Sequence, residues 1–594
     1  MMNGKKLEYK GEEALKELER LTAKAGEVQE DILKEILTRN GDTEYLNKYM
    51  KGAKDVHSFK SRVPVIGYNG IKPYIQRIIH GEDSSLLTSH PITEMLCSSG
   101  TSNGEPKLMP SIAEDLDRRT FVYNLIMPIV NQYIPGSDEG KAMYLYFIKA
   151  EMPTPCGLPA RTVLTSYYKS KHFKGRSRNM PYYDLTSPDQ AILCDDSNQS
   201  MYCQLLAGLV LRHQVLRLGA VFASAFLRSI TFLEKNWVRL CNDIRKGKLG
   251  PSITDPECQL AMSNMLSSPN PCLADEIEGI CGCSSWKGIL CRLWPKAKYI
   301  EAVVTGSMAQ YIPSLEYYSD GKLPLVCTMY ASSECYFGVN LKPLCDPSEV
   351  SFTLLPNMGY FEFIELGKNA WSLDIDEDEE VPRDKVVDVI QVILGHYYEI
   401  VATTFAGLYR YRIGDVLQVT GFHNKAPQFK FICRRNVILS LENDKTSEED
   451  LYKSITVAKK LLEPHNVLLL EYTSYADAST VPGHYVLYWE IGHVGQMTLS
   501  KLDEVLRECC IAIEEELDYI YRRCRSHDRC IGPLEIRVVQ PGTFEALMDL
   551  FISQGGSINQ YKTPRCIKSR TALKLLDANV KECFFSPRDP KWVP

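Results

Sequence analysis

Apolar residues recur at helical spacing through the first forty positions: Leu15, Leu18 and Leu21, then Val28, Ile32, Ile36 and Leu37. Positions three and four apart share a helical face, so the pattern predicts an amphipathic helix pair, or one long helix, laid on the main body. Turn-forming combinations follow at Val63-Pro64, Tyr68-Asn69-Gly70 and His80-Gly81-Glu82-Asp83, and predict a loop-rich passage. Residues 113–130 return to helical character. Residues 142–148 (AMYLYFI) and 162–168 (TVLTSYY) are rich in β-branched and aromatic side chains and read as strands. Residues 199–232 read as helical, with small residues interleaved among large ones at 219–226, a pattern of close helix packing. The interval 246–270, punctuated by Pro, Ser and Gly, reads as a connection between subdomains.

An alternation of strand and helix comes next. Residues 299–304 form a predicted strand ending in Thr305-Gly306-Ser307, and residues 323–329 another, ending in Tyr330-Ala331-Ser332-Ser333-Glu334. In open α/β sheets the ligand crevice lies at the carboxyl ends of strands, and both of these stop in small polar residues. The acidic run 374–388 reads as a solvated loop. Strands at 398–404 and 417–421 bracket Gly407-Leu408-Tyr409-Arg410-Tyr411-Arg412-Ile413-Gly414-Asp415. That segment offers a ring for a base and a carboxylate for ribose hydroxyls. A β-hairpin with cross-strand aromatic pairs produces much the same pattern without a ligand.

A last strand at 429–432 precedes a change in composition, which places a domain boundary between 424 and 435. The remainder reads β-loop-α-β-β-α-β, with strands at 437–441, 467–472, 485–491 and 534–539 and helices at 447–462 and 501–523. It carries Lys445 in a charged loop and Lys562 behind the pair Gly555-Gly556. The expected fold class is α/β: a large multi-sheet amino-terminal domain and a small α+β carboxyl-terminal domain.

Composition narrows the class. A chain of 594 residues exceeds one ordinary domain, and 24% charged residues mark a folded soluble protein. A net charge of −6 gives no general reason to bind nucleic acid or acidic membranes. The amino-terminal stretch is charged and helical rather than a signal peptide, and no apolar run reaches spanning length, so a cytoplasmic location is expected. The 20 cysteines are scattered. The local pairs Cys281/Cys283 and Cys509/Cys510 lack a second pair and histidines at zinc spacing, so reduced, mostly buried thiols are expected rather than a metal site.

The candidate chemistry begins at residues 96–110, LCSSGTSNGEPKLMP. Ser98, Ser99, Gly100 and Thr101 let backbone N–H groups approach an anion closely, and the hydroxyls and Lys107 add donors and charge. The spacing is not that of a Walker loop. By itself the run is equally a polar surface turn. Beyond it, Arg118 and Arg119 stand early on the 113–130 helix, Arg119 on the face of Ile126. Such an arginine could meet a carboxylate ligand or simply cover apolar surface with its stem.

Three stretches stand in a specific order: SSGTSNGEPK, then YASSE, then YRYRIGD. With the small lysine-bearing carboxyl-terminal region, this order resembles the adenylate-forming superfamily, and more closely the plant GH3 acyl acid amido synthetases of the auxin-conjugating group. Further matches are TVLTSYYKS at 162–170, YCQLLAGL at 202–209, GAVFASAFLR at 219–228, VVTGSMAQYIP at 303–313 and QYKTPRCI at 560–567, so the resemblance spans essentially the whole chain.

The resemblance implies a two-step ligase using ATP and Mg²⁺. A carboxylic acid, foremost indole-3-acetic acid, is adenylated, and its acyl group passes to the amine of an amino acid such as aspartate or glutamate. It implies a domain of residues 1–428, a hinge at 429–436 and a small mobile domain of residues 437–594, acting as a monomer without nucleic-acid or membrane partners. Carried over by residue, Ser98, Ser99, Gly100 and Thr101 cradle phosphate, with Lys107 alongside. Glu334 holds Mg²⁺ beside Ser332 and Ser333. Thr305, Gly306 and Tyr330 line the adenine, and Asp415 takes the ribose hydroxyls. Lys445 and Lys562 contact the phosphate or the developing charge. Ser98, Glu334, Lys445 and Lys562 are then the catalytic set.

The same resemblance gives the acyl pocket Val163, Leu164, Met329, Ala331 and Tyr336, with Arg118 or Arg119 as carboxylate partner. Ile126 stands where benzoate-type members carry a pocket arginine, which favours a larger apolar acid. The alternatives are a jasmonic or benzoic acid synthetase, an acyl-CoA ligase, or a hormone-binding scaffold that has lost its chemistry. The last requires damage at Ser98–Thr101, Glu334, Asp415 or Lys562, and none is present.

Overall fold

A computed structural model describes residues 11–102, 105–149, 151–175, 181–366, 381–382, 385–434, 438–465, 467–493, 499–553 and 563–593. The chain divides into two compact units, one of Met1–Ser98 with Lys107–Arg435, the other of Ser99–Pro106 with Asn436–Pro594.

In the first unit the amino-terminal apolar stripe forms two helices, Glu12–Ala23 and Ala25–Asn40. Ala14, Leu18, Leu21, Ile32, Leu33, Ile36 and Leu37 enter one large core cluster. The passage expected to be loop-rich contains three further helices, Glu44–Met50, Val56–Arg62 and Tyr68–Ile79. Tyr68-Asn69-Gly70 opens a helix instead of a turn. Ile71, Ile75, Ile78 and Ile79 lie on one face and are buried, and that gain outweighs the local turn tendency.

Three sheets organise this unit. The first is parallel and holds Lys141–Leu145, Val215–Phe222, Tyr299–Val303 and Leu325–Val326, in that order. Val215–Phe222 interrupts the span expected to be helical and separates the helices Ser197–Val210 and Ala223–Lys246. The small residue Gly219 serves strand pairing, since a Cβ there would stand 2.0 Å from the Glu301 carbonyl oxygen. The expected connector at 246–270 contains the helix Pro256–Leu266, started by Asp255 as N-cap and Pro256 in its first turn.

The second sheet has eight strands, ordered Val386–Asp388, Tyr360–Leu366, Tyr397–Thr403, Tyr411–His423, Ala426–Arg434, Phe352–Leu354, Tyr336–Val339 and Met329–Ala331. Its pairings are antiparallel. The single strand expected at 323–329 is two short ones: Leu325–Val326 ends the parallel sheet and Met329–Ala331 edges the eight-stranded one. Residues 374–380 and 383–384 of the acidic run lie outside the described residues, and Val386–Asp388 is an edge strand. Residues 429–434 of the expected hinge belong to Ala426–Arg434, registered against two neighbours.

The third sheet takes in Glu105–Ile112, Ile92–Ser102, Pro159–Arg161 and Met152–Pro153. The serine-glycine run expected as a loop therefore continues a strand as far as Ser102. Residues 162–168, expected as a strand, are the helix Val163–Lys169. Thr162 caps it, its hydroxyl accepting from the Thr165 N–H at 3.3 Å, and Thr165, Ser166, Tyr167 and Tyr168 are buried along it. A cap and core contacts on most sides override the β-propensity of Val, Thr and Tyr.

The second unit is α+β. Its sheet runs Val467–Asp477, His484–His493, Glu535–Val539 and Val580–Phe585, with the middle pair parallel and the outer pairs antiparallel. Helices Glu448–Leu462 and Leu499–Glu516 cover it. The long helix expected at 501–523 breaks at Asp518, which caps a separate helix, Tyr519–Ser526. Thr543–Ser553, Arg570–Ala578 and the last strand had no counterpart in the expected pattern. The strand expected at 437–441 is reduced to an isolated bridge between Leu439 and Thr446. Among the described residues no helix is long and apolar enough to cross a membrane.

Candidate active site

The YASSE segment is built by a two-residue change of sheet. The chain leaves the parallel sheet at Val326 and enters the eight-stranded sheet at Met329, so Met329, Tyr330 and Ala331 form its edge. The strand then turns tightly. The Ser332 N–H donates to the Cys335 carbonyl at 2.8 Å, and the Ser332 hydroxyl accepts from the N–H groups of Glu334 at 3.2 Å and Cys335 at 3.4 Å. The Ser333 hydroxyl donates to the Cys97 carbonyl at 3.3 Å, which ties this turn to the strand carrying Ser98.

That turn presents Glu334. The side chain is 9% exposed, and its Oε1 is buried without a hydrogen-bond partner. A buried carboxylate oxygen lacking a donor is costly by itself and suits a hard divalent cation, so Glu334 fits a Mg²⁺ ligand. Asp415 stands close by. Its carboxylate accepts from the Tyr330 hydroxyl at 2.7 Å and from Arg434 Nη1 at 3.2 Å. Burial, and then the Asp415 carboxylate, push the Tyr330 phenol well above its ordinary range, so it remains a donor. For Arg434, burial works against the charge, but Asp415 and then Glu334 outweigh it and hold the guanidinium protonated.

An aromatic wall adjoins these groups. Tyr330 stacks on Phe337 with centroids 4.7 Å apart and tilts against Phe431 at 6.4 Å. Thr305 leads into the 3₁₀ turn Gly306–Tyr311. Gly306 has φ 61°, and a Cβ there would come 2.9 Å from the Phe431 ring, so both conformation and space require glycine. Thr305, Gly306 and Tyr330 are thus gathered around one phenylalanine.

Ser98 is buried on the strand Ile92–Ser102, and Ser99, Gly100 and Thr101 follow it there, although their side chains lie outside the described residues. Lys107 is also buried, its ammonium 5.6 Å from the Tyr68 ring centroid. In the second unit, Lys445 sits in a braced turn. Asp444 accepts from the N–H groups of Leu441 at 3.0 Å and Glu442 at 2.6 Å, and also from the Tyr485 hydroxyl. Lys562 lies outside the described residues.

The expected acyl-pocket residues pack into the same core cluster: Val163, Leu164, Met329 and Tyr336 belong to it or line it. Ala331 lies beside them on the edge strand. The Tyr336 hydroxyl bonds Tyr123 Oη at 3.0 Å. The two arginines differ. Arg118 pairs with Asp115 at 3.1 Å and Glu114 at 3.2 Å and lies 3.8 Å over the Phe405 ring, so its charge is already engaged. Arg119 is buried, donates through Nη2 to the Ser111 hydroxyl at 3.4 Å, and leaves Nη1 buried with no partner. Of the two, Arg119 has a donor to give.

The sequence reading passed over Arg434 because a lone arginine ending a strand carries no periodic signal. For the rings of YRYRIGD the sequence leaves base stacking and a ligand-free hairpin both open. Tyr409 and Tyr411 are core residues, Arg410 pairs with Glu362 at 2.8 Å and Arg412 with Glu399 at 3.0 Å. The ring near Asp415 is that of Tyr330.

Residues 14–325 match the GH3 family N-terminal domain, 352–434 the central domain and 449–571 the C-terminal domain of that family. GH3.9 of Arabidopsis thaliana is 71% identical over 98% of both chains. The indole-3-acetic acid-amido synthetase GH3.17 of Arabidopsis thaliana is 58% identical, again over 98% of both. The solved GH3.15 acyl acid amido synthetase is 48% identical over 98% of both chains, with a TM-score of 0.68. With Glu334 and Asp415 on the strands and turns of a match that runs nearly end to end, the chain belongs to the GH3 family.

Proposed function

We propose that the protein is an ATP- and Mg²⁺-dependent ligase that joins an acyl acid, foremost indole-3-acetic acid, to the amine of an amino acid such as aspartate or glutamate. The observation that carries this reading is the cluster of Tyr330, Asp415, Arg434 and Glu334. One carboxylate there is oriented by two donors, and the other keeps a buried oxygen open for a cation. The indole-3-acetic acid-amido synthetase named for GH3.17 at 58% identity supports the substrate class. GH3.15 has been solved with 2,4-DB, which supports an apolar-bodied acid in the pocket.

The chemistry asks mainly for positioning and charge neutralisation. The acid's carboxylate oxygen attacks the α-phosphorus of ATP and pyrophosphate leaves. The amino acid nitrogen then attacks the acyl carbon, AMP leaves, and the nitrogen gives up a proton. Asp415, held by Tyr330 and Arg434, orients the ribose through its hydroxyls. Thr305, Gly306 and Tyr330 flank the base. Glu334 holds Mg²⁺, which when bound neutralises phosphate charge and polarises the reacting phosphorus. Ser98 to Thr101 donate to phosphate oxygens, and Lys445 and Lys562 meet the charge that develops. Arg119 Nη1 fixes the acid's carboxylate, with Val163, Leu164, Met329 and Tyr336 around its apolar body.

The test is pyrophosphate release with indole-3-acetic acid, ATP and each of the twenty amino acids, with the conjugate identified by mass. Conjugate formation with aspartate or glutamate is expected. Pyrophosphate release that yields only a thioester when coenzyme A is supplied would assign an acyl-CoA ligase instead.

A further inference from the structure

Cys194, Asp255 and Cys258 meet in the first unit, with Cys203 on a neighbouring helix. Cys194 follows the helix Asp189–Ile192, Cys203 lies on Ser197–Val210, and Cys258 lies in the first turn of Pro256–Leu266. All three are buried. The thiol sulfurs of Cys194 and Cys258 and a carboxylate oxygen of Asp255 lie within 4.8 Å of one another.

We propose that Cys194, Asp255 and Cys258 form a site for a thiophilic divalent cation of the Zn²⁺ type, with solvent as the fourth ligand. Around a tetrahedral zinc with Zn–S of about 2.3 Å, ligand atoms stand roughly 3.8 Å apart, so closing the site asks for movements of about 1 Å. The donors suit the ion: two sulfurs and one carboxylate oxygen. Asp255 is already fixed, since its Oδ1 accepts from the Cys258 N–H at 2.8 Å as the cap of its helix. That bond acts as the outer support that a metal-ligating carboxylate needs. In the free protein the thiol hydrogens go to carbonyl groups, Cys194 to Asp196 at 3.5 Å and Cys258 to Gln190 at 3.6 Å.

Metal binding replaces weak bonds. Cys194 and Cys258 each lose a proton to solvent, two S–H bonds break and two S–Zn bonds form, with no change of oxidation state. With Asp255 ionised, two thiolates and one carboxylate outbalance the ion by a single negative charge. The other cysteine–carboxylate grouping, Cys524 with Asp528 and Cys530, is a poorer host. Its aspartate is occupied by Arg523 at 3.5 Å and His527 at 3.0 Å. A cation bound at the first site would pin the start of Pro256–Leu266 to the segment that follows Asp189–Ile192.

The inference stands apart from the ligase reading and is tested without activity. Full-length protein, reduced and stripped by chelator, is dialysed against Zn²⁺ alone, desalted and assayed for metal. One equivalent per chain is expected, falling to near zero in Cys194→Ser and in Cys258→Ser and persisting in Cys524→Ser. Should the variants misfold, the unaltered protein serves: Zn²⁺ should shield Cys194 and Cys258 from alkylation, mapped by mass spectrometry. The proposal fails if no stoichiometric zinc is retained, if both variants keep it, or if these cysteines alkylate equally with and without Zn²⁺.

Discussion

Tyr330 donates its hydroxyl proton to Asp415 across 2.7 Å, although the two residues lie on strands that are not neighbours. Three strands stand between them in the sheet order. On a flat sheet the separation would be roughly 19 Å, at about 4.8 Å per strand. The contact therefore requires the eight-stranded sheet to curl until its edge faces its interior. Asp415→Ala should raise the KM for ATP by roughly tenfold to hundredfold, the scale of a charged hydrogen bond. Tyr330→Phe should raise it only a few-fold, since Arg434 still holds the carboxylate. Steady-state kinetics with ATP varied checks both, and an unchanged KM in Asp415→Ala would remove this residue from the nucleotide site.

Glu334→Gln keeps the size of the side chain and removes its charge. Turnover is expected to fall by about a hundredfold to a thousandfold, the scale of losing one electrostatic contact to a transition state. A raised Mg²⁺ requirement should accompany it. Magnesium titrations of both proteins decide, and identical curves would leave Glu334 without a metal role.

Lys562→Ala should lower conjugate formation by about a hundredfold or more while leaving the thermal transition in place. Turnover close to that of the unaltered enzyme would falsify its assignment to the developing charge.

Arg410 and Glu362 form a buried pair at 2.8 Å, and Arg410 also donates to the Val63 carbonyl at 2.8 Å. Arg410→Met leaves an uncompensated buried carboxylate and should cost about 3–5 kcal/mol. The double change Arg410→Met with Glu362→Leu should recover a large part of that, because the stranded charge is gone. Denaturant midpoints of the single and double variants measure the difference. Equal losses in both would show that the carbonyl contacts dominate.

Asp518 caps the helix Tyr519–Ser526 through Oδ1, which accepts from the Tyr521 N–H at 2.6 Å, while its Oδ2 is buried without a partner. Burial raises its pKa from 3.8 to about 7. A carboxyl with a raised folded pKa binds its proton more tightly when folded, so stability falls as the pH rises from about 4 to about 7. The loss is of order 4 kcal/mol at most. Asp518→Asn keeps a capping oxygen and stays neutral. Its melting temperature should match the parent near pH 4 and exceed it at pH 8, and a uniform shift at both pH values would rule this account out.

Much of the fold was legible where burial is one-sided. The helices Glu12–Ala23 and Ala25–Asn40 show their stripes. Elements buried on most sides were not legible. Val163–Lys169 and Val215–Phe222 lose the polar face that reveals periodicity, so a helix read as a strand and a strand read as a helix. Asp415 and Glu334 were found through motif order. Arg434, and the division of labour between Arg118 and Arg119, depend on which partners tertiary structure supplies, and nothing local encodes that.

The passage from one sheet to the next spends only Cys327 and Thr328, and Thr328 is itself held, its hydroxyl donating to Glu301 at 2.8 Å. From Val326 to Met329 the chain reaches at most about 11 Å, so the link is short. Side chains on a strand alternate faces, and a register shift of one added residue here would turn Tyr330 away from Asp415 and put Met329 in its place. Chain length at this point is thus under geometric control. Insertions in surface loops can be absorbed, whereas a single one between Val326 and Met329 that shifts the register would exchange the Asp415-facing and opposite sides of the edge strand in one step.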